Sequence, residues 1–334
     1  MRALIFANHG IGDLLMAVPV IKALLQETSD RALIIVKSDI EAEILKLFDT
    51  NGQFASKTVQ GGSQNKLFKF ARLACAMRNF KPDTALLTHG IDPLKGGLLS
   101  LLSGAKKRIG PLEGKRFLFT HRVAKNPREH KVNYNCRLVR SAGRIPVGTI
   151  RANIPHNLIE ESCKKFLKSI DSGWLGISLG SGIEESHKRL PEKIAVELIE
   201  KLVQQGFGDK IILFGTSQEK QLNHACEKVP GFSGINLSGK TSIAETMALL
   251  SRCRALISTC NGVSHLAASV GCLVIGLFGP TDPKVTGPFG TVLKIVCRDL
   301  DCSPCYKRGY IHGCGDPICM DIDIDEIIKE VKDI

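Results

Sequence analysis

A chain of 334 residues, 43% of them hydrophobic, is long enough to bury two cores of ordinary domain size, which excludes a disordered or peptide-like class. No apolar run reaches the roughly 18–20 residues of a membrane helix, and the N-terminal run ALIFA is too short for a secretion signal, since Asn8 and His9 follow at once; the expectation is a cytoplasmic protein. The net charge of +12 is concentrated in residues 90–151, which hold fourteen Lys/Arg against three Asp/Glu; this suits an anionic partner, while the few aromatics there (Phe117, Phe119, Tyr134) argue against a base-stacking platform for single-stranded nucleic acid, and no nucleic-acid partner is expected.

Buried-type strands are predicted at 2–7 (RALIFA), 31–36 (RALIIV) and 83–88 (DTALLT), and amphipathic helices at 12–27 and 65–80. A looser polar stretch with one helix, 153–173, separates these from a second series. That series begins with WLGISLGSG (174–182), a strand into a glycine turn. A helix follows at 191–206, with Pro191 at its start and Gly206 at its end. Next come a strand at 210–215, a helix at 242–253, a strand at 255–259, a helix at 263–271, a strand at 273–279 and a terminal helix. Strand–helix alternation means parallel sheets covered on both faces. The expected organisation is a doubly wound α/β domain over 1–155, a second over 172–320, and a C-terminal helix within 321–334. Ligands of such sheets bind at the carboxyl ends of the strands.

Gly10 and Gly12 match the start of a G-x-G-x-x-G turn, but the third position is Leu15, so a dinucleotide-type phosphate turn is incomplete. Asp13 falls in the first helical turn. There it either complements the helix dipole or faces the crevice as a general base. In GSGIEESHKRLPE (180–192), Ser181, Gly182 and neighbouring amides could meet phosphate oxygens, with Lys188 and Arg189 adding positive charge. Asn261-Gly262 closes a strand and opens a helix, so the amides of Asn261, Gly262 and Val263 could bind a diphosphate, with His265 one turn in. GPTDP (279–283) is a tight loop expected to expose Thr281 and Asp282.

GIGDLLMAVPVIKAL, DTALLTHGIDPLKGGLLSLLSGAKKRIG, KRLPE and NGVSHLAASVGCLVIGLFGPTDPKVTGPFG, in this order, resemble glycosyltransferase family 9, the ADP-heptose:lipopolysaccharide heptosyltransferase family. The resemblance runs from residue 2 to about 325. It implies a GT-B fold, two Rossmann-like domains facing across a cleft. It also implies inverting transfer of heptose from ADP-heptose to an inner-core lipopolysaccharide sugar, without a catalytic metal or cofactor. By resemblance, Asp13 is the catalytic base, Lys188 and the 262–265 loop meet the donor, and Glu219 contacts the adenosine ribose. Three departures stand out: Leu190 replaces a tryptophan, Cys260 replaces an aspartate that holds the donor heptose, and Asn8 and His9 stand where basic residues often precede the first G-D. The basic stretch, with Lys95, Lys106, Lys107, Arg108, Lys115, Arg116 and Arg122, then suits an anionic glycolipid acceptor and peripheral contact with the inner membrane surface; Lys95, Lys106, Arg108 and Arg116 are the acceptor candidates.

Most of the twelve cysteines, such as Cys75, Cys136, Cys253 and Cys272, stand singly among apolar residues, as small buried hydrophobes do. Cys302, Cys305, Cys314 and Cys319 differ. Their C-x2-C-x8-C-x4-C spacing suits a closed structural zinc or iron site, with His312 a substitute ligand; free or redox-labile thiols and disulfides are the alternatives. An iron-bound finger of this kind resembles the protein-modifying heptosyltransferase branch. A protein acceptor, an NAD-dependent oxidoreductase lacking its third glycine, and a non-catalytic glycan-binding protein with a degenerate site are the other functional readings.

Overall fold

A computed structural model of the chain describes residues 1–59, 66–146, 151–167, 173–306, 314 and 317–334. The chain divides into two compact units, Met1–Asn153 and Ile154–Ile334. In the first, β1 (Arg2–Phe6), α1 (Ile11–Leu24), β2 (Arg31–Val36), α2 (Asp39–Lys46), β3 (Phe54–Thr58), α3 (Lys66–Phe80), β4 (Thr84–Leu87), α4 (Pro93–Leu102), β5 (Lys107–Pro111), β6 (His121–Val123) and α5 (Lys131–Ser141) follow one another. Their strands form one parallel sheet in the order β3-β2-β1-β4-β5-β6. The apolar runs occupy its middle: the whole of β4 and all of β1 but Arg2 are buried, while edge strand β3 alternates between half-buried and exposed. That is why the central strands read as continuous hydrophobic stretches.

The second unit carries α6 (His156–Phe166), β7 (Trp174–Ser178), α7 (Glu192–Leu202), β8 (Ile211–Leu213), α8 (Lys220–Glu227), β9 (Ile235–Asn236), α9 (Ile243–Leu250), β10 (Cys253–Thr259), α10 (Gly262–Val270), β11 (Leu273–Phe278), α11 (Pro283–Thr286), β12 (Leu293–Cys297) and α12 (Ile324–Lys332). Its parallel sheet runs β12-β11-β10-β7-β8-β9, the same winding in unit-local terms. The winding reverses beside β1 and β4 in the first unit and beside β7 and β10 in the second, so the loops leaving those strands are the natural ligand crevices. The terminal helix belongs to this core. Ile324, Ile327, Ile328 and Val331, one stripe of α12, are buried with Leu198 and Leu202 of α7.

The sequence runs α7 on to Gly206, but the helix ends at Leu202. A wide turn, Val203–Phe207, follows, in which Gly206 takes the left-handed φ of 85° that breaks the ladder. Cys253 and Cys272 are buried as expected, whereas Cys75 is exposed and Cys136 half-buried, because they lie on outward-facing turns of α3 and α5. Among the described residues no helix is long and apolar enough to cross a membrane.

Candidate functional site

In the first unit, β1 leads to Gly10, which starts α1 without a side-chain cap. Asp13 does not cap the helix either. Its Oδ1 accepts a 2.9 Å hydrogen bond from Lys131 Nζ at the start of α5, an ion pair whose side chains are 26% and 20% exposed. Burial alone would push the Asp13 pKa up, but the Lys131 ammonium, helped by His9 and His89, holds it below the usual carboxylate value. Lys131 is set in place because His130 Nδ1 accepts from the Val132 amide and opens α5, which packs along α1. One turn on, the buried Asn135 donates to the Met16 carbonyl and accepts from the His89 amide, so the exit of β4 is tied to α1. The His89 ring meets Tyr134 edge-on at 5.7 Å. Burial and the Lys131 charge lower its pKa to about 4, so it is neutral near pH 7. Asn8 Oδ1 and His89 Nδ1 are buried without a partner among the described residues. Two such orphaned groups where the winding reverses suit a polar ligand.

In the second unit, β7 and β10 end side by side, and Asn261 stitches them together. Its Nδ2 donates to the Ser178 and Gly180 carbonyls, and its Oδ1 accepts from the Val263 and Ser264 amides at 2.9 and 3.2 Å. The expectation of open amides therefore fails at Val263: the asparagine caps its own helix. Ser181 is buried and donates to the Glu185 carbonyl rather than projecting outward. Gly182 precedes the 3-10 turn Ile183–Lys188. Lys188 is buried too; its Nζ donates to Glu185 Oε1 at 2.7 Å and lies 4.0 Å above the Tyr306 ring. The Tyr306 hydroxyl donates to the same Glu185 oxygen. Burial would raise the Glu185 pKa, but these two donors and the Lys188 charge bring it below normal.

Glu219 is buried and closes a capping box. Its Oε2 accepts from the Thr216 amide and hydroxyl, and its stem lies over Gly180, where a Cβ would stand 2.1 Å from Glu219 Cγ. A Gly180→Ala variant is accordingly expected to lose about 1–3 kcal/mol of stability through overpacking, read as a lowered melting temperature. Leu190 is a core residue. His265 is buried within α10. Cys260 is half-buried, 3.9 Å from Thr286 Oγ1. Thr281 is not exposed as expected: the loop folds inward between two prolines and buries its hydroxyl without a described partner. Asp282 instead caps α11 by accepting from the Lys284 amide.

Of the acceptor candidates, Lys95, Lys106 and Arg116 are exposed. Arg108 is committed to structure, with Nε donating to the Leu118 carbonyl and Nη1 to that of Ala105. No disulfide joins Cys302, Cys305, Cys314 and Cys319, which lie near enough that their mutual repulsion adds to burial in raising the pKa of Cys305 and pushing that of Cys319 up to about 11. Yet among the described residues no three His, Cys, Asp or Glu groups are placed to hold a metal ion. The expected closed zinc or iron site is thus without support among the described residues. His312 and most of the segment between these thiols, 307–313 and 315–316, lie outside the described residues.

The sequence model of glycosyltransferase family 9 (heptosyltransferase) matches residues 70–314, most of the chain. The chain belongs to glycosyltransferase family 9. Among its relatives, lipooligosaccharide heptosyltransferase 2 of Haemophilus influenzae is 31% identical over 121 residues, 34% of either chain. The family 9 chain thus spans about a third of the length of that curated relative. The structure of Escherichia coli ADP-heptose lipopolysaccharide heptosyltransferase II superposes with a TM-score of 0.78 at 18% identity, covering 99% of this chain and 98% of that one. An Escherichia coli heptosyltransferase solved with ADP-2-deoxy-2-fluoro heptose gives 0.65 at 17% identity, covering 99% and 100%. These likenesses show a shared GT-B fold.

Lys131, Asn135, His89, Glu185 and Tyr306 were not singled out by sequence. Lys131 and Asn135 stand one turn apart on α5, a spacing that reads as ordinary helix surface until Asp13 is found beside it.

Proposed function

We propose that this family 9 chain is an inverting glycosyltransferase that moves a heptose from ADP-heptose to a lipopolysaccharide inner-core or related anionic glycan, with Asp13 as general base. The observation that carries the reading is the Asp13 carboxylate, held ionised by Lys131 at the winding reversal of the first unit. Family membership and the donor and acceptor named for the relatives support the substrate class. The acceptor hydroxyl attacks the anomeric carbon as its proton passes to Asp13. The new C–O bond forms on the face opposite the breaking bond to phosphate, ADP departs with the electron pair, and the configuration inverts. Charge on the departing ADP is met in the second unit by Lys188 and the Gly262 amide. Preorganised donors of this kind suit a developing anion. Lys95, Lys106 and Arg116 serve the acceptor's anionic groups, on the cytoplasmic side of a membrane.

Thermal-shift screening tests the donor, and ADP release with truncated lipopolysaccharide tests the transfer. ADP-heptose should raise the melting temperature more than UDP- or GDP-sugars do, and ADP should appear only when acceptor is present. A preference for a UDP-sugar, or no ADP release, would remove the reading.

Glu185 competes with a donor phosphate for the Lys188 ammonium. Its replacement by Gln should tighten ADP-sugar binding by about 3–10-fold, as expected for releasing one charge-assisted contact, measured by calorimetry. Weaker binding would show that Glu185 aims Lys188 instead.

A further inference from the structure

The surface of α4 is inverted. Its buried side is made of Gly96, Gly97, Leu99 and Ser100. A Cβ at Gly97 would meet Leu118 and Phe119 at 2.9 Å, and one at Gly96 would meet Leu87 and Ile91 at 2.8 Å, so the helix lies directly on the unit beneath it. Its outward side carries Leu94, Leu98, Leu101 and Leu102, which are 57%, 40%, 40% and 39% exposed. That spacing of i, i+4, i+7 and i+8 is a single stripe, and a helix of a water-soluble domain ordinarily turns such a stripe inward. The 3-10 turn Arg116–Leu118 packs against α4; it buries Leu118 and leaves Phe117 67% exposed. Lys95 on α4, Lys106 just after it, and Lys115 and Arg116 at the turn are exposed. Among the described residues none of these four takes part in an ion pair.

We infer that α4 and the Arg116–Leu118 turn form a membrane-docking face, with the leucine stripe and Phe117 entering the headgroup–acyl boundary of an anionic phospholipid bilayer while the lysines and Arg116 meet its phosphates. Apolar side chains fringed by cations are the pattern of an interfacial helix. Nucleic acid would leave the leucines without a counterpart. A two-fold contact with a second copy would set each cationic fringe against its own image. This deepens the lipid-linked-acceptor reading and rests on it for its purpose, but its test needs neither donor nor acceptor.

The full chain is sedimented with phosphatidylethanolamine–phosphatidylglycerol vesicles and with phosphatidylcholine vesicles. Binding to the anionic vesicles should exceed binding to the neutral ones by about tenfold or more and fall as salt is raised. Leu98→Glu, exposed and outside every site described above, should keep the melting temperature and lose about tenfold in vesicle binding, since a charge replaces inserted apolar surface. Phe117→Trp supplies an optical check, because the single native tryptophan, Trp174, is buried in the other unit; its emission should shift to the blue on anionic vesicles. Equal binding of Leu98→Glu and the unaltered protein, no binding to either vesicle, or self-association that Leu98→Glu abolishes without any vesicle binding would each overturn the inference. At a saturating concentration of a deacylated, water-soluble acceptor Leu98→Glu should turn over like the unaltered protein. Absence of turnover in both would indict the proposed reaction and leave vesicle binding to decide the docking face.

Discussion

Asp13→Asn should bind ADP-heptose as tightly as the unaltered protein and turn it over about 10²–10⁴-fold more slowly, the usual weight of a positioned general base. The amide keeps the shape of the side chain and can still face Lys131, but it cannot take a proton from an incoming hydroxyl. Little stability should be lost. The pair is about a quarter exposed, so water already screens much of its attraction. Calorimetry for affinity, ADP release for rate and a melting curve for folding separate the three quantities. An unaltered rate would take Asp13 out of the chemistry.

Lys131→Met should cost about 10²-fold in kcat/KM, as displacement of a catalytic group by an ångström does, and should change the pH profile in a set direction. Burial raises the Asp13 pKa, and Lys131 is the first of the groups that bring it down, ahead of His9 and His89. A base works only when ionised, so activity is present above its folded pKa and fades as pH falls through it. Without Lys131 the burial effect prevails, the pKa rises, and the acid limb moves to higher pH. His89, held near 4 by burial and by Lys131, with Lys125 adding to the effect and Asp13 opposing it, should titrate higher as well. Lys131→Arg should return the acid limb toward its original position. A Met variant whose acid limb stays put, measured on folded protein, would show that the ammonium does not tune the base.

The sheets were legible because β1, β2, β4, β7, β10 and β11 are runs of apolar residues, and a buried parallel strand has no polar face to hide. Asp13 was legible because it stands alone in a glycine-led helix start. Its partner was not: Lys131 lies 118 residues further on, and no local periodicity joins them. Asn261 was visible as a helix opener, yet the same residue type is the preferred cap, and the cap took one of the amides, that of Val263, that a ligand had been expected to find. Thr281 sits in a proline-flanked loop of outward-facing composition. Only the packing of its surroundings decides that it turns in.

Lys131 and Asn135 share α5 one turn apart. The first grips the carboxylate at the start of α1, and the second grips the Met16 carbonyl further along that helix. A slide or roll of α5 would therefore loosen both grips at once. Reactivity and alignment of the acid are geared to one rod, so a change that merely tilts that rod, far from any sugar, should dim the reaction as surely as touching the acid itself.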